Sequence, residues 1–269
     1  MDAPLLRVER LTKRFPIRAP ISKRVIGEKT VLDNITFDLP RGETLGIVGE
    51  SGSGKSLLLR VILGVVQPTE GRVIVEGREF RPRTEDRPLA DKRAIQMIFQ
   101  DPGAALHPRL TVYRTLAETF RVHGTRDGKT VEEEITELLE LVGLSRRLGD
   151  RYPHQLSGGQ RQRVVVARAL AVRPQILLCD DPVAALDVSL AAQVLNLLLD
   201  LQEQLGLSYV FVTNNLAVLR QIAHRIAVMH DGRIVELSEK EAIYTNPRDE
   251  YTRELLEAAP SLQRSLAGN

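Results

Sequence analysis

Cysteine is nearly missing from this sequence: 269 residues contain one, Cys179. That excludes an intrachain disulfide and any all-cysteine metal site. Tryptophan is absent and aromatics make up only 4% of residues, which argues against a platform for stacking bases. An excess of one charge sign is lacking too. Lys and Arg number 37 against 35 Asp and Glu, a formal net charge of +2, so no basic stripe exists and no nucleic-acid partner is expected. Long apolar runs are also missing. The longest, such as Val61 to Val66, are interrupted and fall far short of the ~20 residues a membrane helix needs. The opening stretch MDAPLLRVERLTKRF has no apolar core of the signal-peptide kind. The expectation is a protein of the cytosolic side that reaches a membrane only through partners.

What is present suits a large α/β domain, alone or with a subdomain and tail: 43% of residues are hydrophobic, enough for a substantial core. VLDNITFDL (Val31 to Leu39) alternates as a strand, Pro40 to Glu43 is a turn, and TLGIVG (Thr44 to Gly49) is a buried strand entering a glycine-rich loop. Ser56 to Val65 has helical character, as does VEEEITELLELV, whose acidic first turn suits a helix N-terminus. ILLC (Ile176 to Cys179) and YVFVT (Tyr209 to Thr213) read as buried strands around a long helix ending at Gly206. That β-α-β order implies a parallel sheet with a right-handed crossover. RIAVM and RIVEL, on either side of His230-Asp231-Gly232, read as a hairpin, since Asp-Gly suits a tight turn.

The chemistry concentrates at Gly49-Glu50-Ser51-Gly52-Ser53-Gly54-Lys55-Ser56, which fits G-x-x-x-x-G-K-[ST] between a strand and a helix. The glycines let backbone N–H groups turn inward as an anion nest, and the helix dipole adds positive potential. In this motif Lys55 reaches the β- and γ-phosphates of a nucleotide and Ser56 holds Mg²⁺. About a hundred residues on, Leu156-Ser157-Gly158-Gly159-Gln160 precedes a helical run, so a hydroxyl and unpaired N–H groups stand at a helix start.

Together these segments resemble the ATP-binding cassettes of ABC transporters, a P-loop NTPase α/β fold with a RecA-like core, an antiparallel β subdomain and a helical subdomain. The resemblance implies that LSGGQ is the signature that faces the γ-phosphate bound to a second cassette. It implies that Phe15 stacks on adenine, although an ordinary core aromatic is the equal alternative. Gln100, in MIFQDP, matches the glutamine that contacts Mg²⁺ or water and couples to the membrane domain; Gln96 is a nearby competitor. Asp180 matches the strand-end aspartate that helps hold Mg²⁺, and Ala184-Ala185-Leu186-Asp187 resembles the D-loop with alanine replacing serine. The implied layout is an ATP-binding domain at 1–240, its helical subdomain at about 103–165, and a short tail at 241–269.

GETLGIVGESGSGKS, IQMIFQDPGAALHPRLTV and NPRDEYTRELLEAAPSL resemble, more narrowly, the ATPases of dipeptide, oligopeptide and nickel importers, as does the extended segment between Phe15 and Val31. That resemblance implies a second ATPase subunit, two permease subunits, an extracytoplasmic binding protein acting indirectly, and a place at the cytoplasmic membrane face. No cysteine follows Cys179, so the iron–sulfur cluster of some members is not expected. A companion of a phosphonate-cleaving lyase and a fully active homodimeric ATPase are the alternatives.

Two positions depart from the family pattern. Asp181 stands where a glutamate polarises the attacking water, and its carboxylate is shorter by about one C–C bond, roughly 1.5 Å. Asn214 replaces the switch histidine; it can donate a hydrogen bond but carries no imidazolium charge. Both departures fall in the site built on this chain's own phosphate loop, whereas LSGGQ, serving the opposite site, is intact. The expectation is the degenerate half of a heterodimer, binding ATP and Mg²⁺ and hydrolysing slowly at its own site.

Overall fold

The computed structural model describes residues 3–19, 24–125 and 128–258. In chain order, strands β1 (Leu6–Arg18), β2 (Val25–Leu39) and β3 (Thr44–Val48) lead to helix α1 (Lys55–Leu63). Then come β4 (Glu70–Val75), β5 (Arg78–Glu79), α2 (Leu89–Ala94), β6 (Ile95–Ile98), α3 (Pro102–Ala105), α4 (Val112–His123), α5 (Val131–Leu141) and α6 (Gly158–Leu170). The chain continues through β7 (Ile176–Asp180), α7 (Val188–Leu205), β8 (Ser208–Thr213), α8 (Leu216–Ile222), β9 (Arg225–His230), β10 (Arg233–Glu239), α9 (Lys240–Thr245) and α10 (Glu250–Glu257). Two compact units result, one from 1–88 with 208–269 and one from 89–207.

The first unit holds an antiparallel sheet in the order β2-β1-β4-β5. The pairing of β1 with β2 is interrupted by bulges, and Arg10 and Asn34 take left-handed backbone angles there (φ 47° and 52°). The N–H groups displaced from the ladder find side chains instead: Arg10 N–H donates to Thr36 Oγ1 and Asn34 N–H to Thr12 Oγ1. The same unit carries β3 between β8 and β9, parallel to both, with β10 antiparallel to β9. Every residue of β3 and β8 is buried, as expected for strands covered on both faces. Helix α1 adds Leu58, Leu59, Val61 and Ile62 to this core, each worth about 1.5–3 kcal/mol when fully buried. Gly46 lets α8 approach β3: a Cβ there would meet Leu219 at 2.8 Å. The hairpin turn at Asp231 and Gly232 has both residues left-handed (φ 44° and 77°), the type that matches strand twist.

The second unit pairs β6 with β7 in parallel and surrounds them with α2 to α7. Its helices start on side-chain caps: Thr111 for α4, Thr130 for α5, Ser157 for α6 and Asp187 for α7. The cap at Asp187 starts α7 three residues earlier than the apolar pattern from Ala191 indicates. Arg163 ties α6 to the end of α5 by donating to the Val142 carbonyl at 2.7 Å. No helix among the described residues is long and apolar enough to cross a membrane.

Candidate functional site

In the first unit, β3 delivers the chain into residues 49–56 and α1 carries it away. Gly52 and Gly54 are left-handed (φ 88° and 103°), and a Cβ on Gly52 would touch nothing within 4 Å. Gly49 is held by contact instead. A Cβ there would stand 2.0 Å from the Met229 carbonyl oxygen at the end of β9. Ser51 and Gly52 are exposed, while Ser53 and Lys55 are buried. The Lys55 ammonium folds into its own loop, donating to the Gly49 carbonyl at 2.7 Å, the Glu50 carbonyl at 2.6 Å and Ser53 Oγ at 3.2 Å. Those three acceptors centre the charge inside the concavity.

The start of α1, like that of α9, has no side-chain cap, in contrast to α4 to α8 and α10. The N-cap of α1 is Gly54. The first-turn N–H groups of a helix need partners, and here the sequence places a glycine-rich loop rather than a capping side chain before them. Phosphate fits this arrangement, because N–H groups, helix dipole and lysine all point positive potential at the same place. The Ser56 hydroxyl, the oxygen donor expected for the metal in this unit, suits Mg²⁺, a hard cation bound through oxygen ligands.

Phe15 lies on β1 with its ring 39% exposed and the Lys13 ammonium 4.9 Å from the ring centroid. It is therefore a surface aromatic, not a core one. Asn214 follows β8 and is exposed; its neighbour Asn215 caps α8, with Oδ1 accepting from Ala217 N–H at 2.9 Å. Sequence reasoning missed one residue of this unit. Tyr251, on the first turn of α10, accepts a hydrogen bond at its hydroxyl from Glu50 N–H at 3.1 Å. Nothing local in the sequence announces a contact across 201 positions.

In the second unit, Asp180 ends β7 and is buried, and Cys179 before it is so deeply buried that its thiol is pushed well up, which makes it inert. Asp181 follows in the left-handed region (φ 44°), a conformation in which Asp is enriched and most side chains are not. Gln100 is exposed two residues past β6. Gln96 instead turns back to donate to the Lys92 carbonyl at 2.6 Å.

The signature forms a capping box in the same unit. Ser157 Oγ accepts from Gln160 N–H at 3.2 Å, and Gln160 Oε1 accepts from Ser157 N–H at 3.0 Å. Leu156 is buried as its anchor. Gly158 and Gly159 have small-residue reasons of their own: a Cβ on them would lie 3.4 Å from Leu186 and 3.2 Å from Leu190. The signature therefore packs against the D-loop and the start of α7. Asp187 is committed to capping, its Oδ1 accepting from Leu190 N–H at 2.9 Å.

The family model described as ABC transporter matches residues 32–184, more than half of the chain. The chain belongs to the ABC transporter family. A solved ABC cassette, MJ0796 in a dimeric post-hydrolysis state bound to ADP and Pi, is 31% identical with a TM-score of 0.72, over 87% of this chain and 98% of that one. CbiO1 from Clostridium perfringens, part of the ABC transporter complex cbiONQ, shares the fold at 24% identity and a TM-score of 0.77, over 99% of this chain and 100% of that one. Among curated relatives, the glutathione import ATP-binding protein GsiA of Escherichia coli (strain K12) is 45% identical over 262 residues, 97% of this chain and 42% of that protein. GsiA of Salmonella typhimurium is 45% identical over 257 residues, 96% of this chain and 41% of that protein. The chain thus spans about two fifths of the length of the curated relatives it matches.

Proposed function

We propose that this chain is the ATP-binding subunit of an ABC importer for peptides or a related small solute such as glutathione. Its identity with glutathione import proteins supports that solute class. It works with a second cassette, two permease subunits and, indirectly, an extracytoplasmic binding protein, at the cytoplasmic face of the membrane. Within the pair it is the weaker half. The observation that carries this reading is the split between an intact phosphate loop and signature and the altered pair Asp181 and Asn214.

The residues act as follows. The N–H groups of residues 51–56 and the uncapped start of α1 bind the phosphate chain. Lys55 exchanges its loop carbonyls for phosphate oxygens. Ser56, Gln100 and Asp180 hold Mg²⁺, and Phe15 stacks on the base. The metal, when bound, neutralises phosphate charge as it develops in phosphoryl transfer. Ser157 to Gln160 serve the nucleotide on the partner cassette. Asp181 orients water poorly, because a general base must lie within hydrogen-bond reach of the proton it takes. Losing that alignment removes much of a typical ~10²–10⁴-fold contribution. Asn214 offers the γ-phosphate a neutral donor in place of a charged one.

The test is steady-state ATPase of the assembled complex with and without Asp181→Asn in this chain. Turnover that stays near the wild-type level is expected, because the partner-based site does the work. A collapse in turnover with assembly and ATP binding intact would show Asp181 to be a working base and refute the weaker-half reading.

A further inference from the structure

Two hydrogen bonds converge on the backbone of Glu50. Its carbonyl oxygen accepts from the Lys55 ammonium at 2.6 Å, and its N–H donates to the Tyr251 hydroxyl at 3.1 Å. One partner is the lysine around which the phosphate loop is built. The other belongs to the tail helix.

Tyr251 is itself held from three directions. Asp249 Oδ1 accepts from Tyr251 N–H at 2.9 Å and caps α10. One step upstream, the buried Glu236 carboxylate on β10 accepts from the N–H groups of Arg248 and Asp249, both at 3.0 Å, which fixes the entry of the helix. The tyrosine ring lies on His230, with centroids 3.9 Å apart and planes at 34°. His230 follows Met229, whose carbonyl oxygen is the wall against Gly49. The end of β9 and the first turn of α10 therefore bracket the entrance of the phosphate loop at consecutive residues.

We infer that Tyr251 is a positioning residue for the phosphate loop: its hydroxyl holds the Gly49–Glu50 peptide by its N–H, and with it the Gly49 carbonyl of the same plane, which accepts from Lys55, so that helix α10 helps set the pose of Lys55. This rests on the reading of residues 49–56 as the MgATP site. Without the hydroxyl, Glu50 N–H turns to water and the carbonyl that steers Lys55 loses a restraint. Tyr251 reaches no reacting atom, so the effect falls on affinity and not on the chemical step. Its size is that of one net hydrogen bond, about fivefold in the dissociation constant of MgATP.

The experiment titrates MgATP into the full-length wild-type chain and into Tyr251→Phe, Glu236→Gln and Lys55→Ala, with melting curves for each. Tyr251→Phe keeps its ring on His230 and is expected to melt close to wild type and bind MgATP about fivefold more weakly. Glu236→Gln loosens the helix entry and shifts affinity in the same direction. Wild-type affinity in Tyr251→Phe overturns the inference, whether or not its melting point falls. If Tyr251→Phe does not fold, unchanged affinity in Glu236→Gln overturns it instead. Lys55→Ala separates the two levels: if it binds MgATP as wild type does, the phosphate-site reading fails; if it loses binding while Tyr251→Phe keeps it, only the role of Tyr251 fails.

Discussion

Alanine at Gly49 and alanine at Gly52 test two different reasons for glycine in one loop. At Gly49 an added Cβ stands 2.0 Å from the Met229 carbonyl oxygen and 3.1 Å from Ser53 Oγ, whereas contacts under 3.0 Å are essentially never seen. The obstacle is main chain of a buried strand, so no side-chain rotation relieves it, and the loop or β9 must shift by about 1 Å. Overpacking costs ~1–3 kcal/mol, and a forced backbone shift belongs at the upper end. At about 2–4 °C per kcal/mol for a chain of this size, the melting point falls by roughly 6–12 °C. Gly52 has φ 88° and open space around its Cβ position, so alanine there meets only the torsional cost of a left-handed residue, about 1 kcal/mol, or roughly 2–4 °C. Differential scanning calorimetry on the two variants reads the difference. MgATP titration should show Gly49→Ala binding at least about tenfold more weakly, because the carbonyls that hold Lys55 are the ones displaced. Equal melting points for the two variants would refute the steric argument.

Two further substitutions probe other parts. Ser157→Ala removes a capping-box hydroxyl at the start of α6 and should cost about 1 kcal/mol, read by urea unfolding; if the hydroxyl also serves the partner's nucleotide, turnover of the complex drops further than destabilisation explains. Glu236 is buried, which pushes its carboxyl up, but the N–H groups of Arg248 and Asp249 outweigh this and hold it below the ordinary carboxylate range. Its contribution is therefore fully present above the unfolded carboxyl's pKa and is lost as pH falls through the lowered folded value. Proteolysis of the tail helix should accelerate in acid in the wild type, and Glu236→Gln should flatten that dependence.

Much of the site was legible because its chemistry sits in contiguous segments. The loop at 49–56 and the signature at 156–160 announce themselves through glycines at fixed spacing, and the Asp231-Gly232 turn was readable from its dipeptide. Boundaries set by capping were less visible: Asp187 reads as a D-loop residue, yet it also moves the start of α7 to Val188. Strand β1 escaped the alternation test because register shifts around Arg10 break its period of two, whereas the 31–39 part of β2 alternates legibly. The left-handed backbone of Asp181 and the bond from Glu50 to Tyr251 depend on tertiary placement, for which a single sequence carries no local signal. The tail's last residues, 259–269, including the end of NPRDEYTRELLEAAPSL, and the linker at 20–23 lie outside the described residues.

Helices α4, α5, α6, α7, α8 and α10 each begin on a side chain that accepts one of their own N–H groups, and α1 begins on a glycine. A helix lacking its cap frays, and its first-turn amides open to solvent more readily than those of its neighbours. An anion in the loop would stand where no side chain caps the helix, so ligand and local folding of α1 are two sides of one equilibrium. Amide hydrogen exchange makes this visible: the first turn of α1 should slow with MgATP, while the first turn of α6, already capped by Ser157, barely changes. On this reading the segment proposed to bind phosphate is also the one whose order a nucleotide would increase.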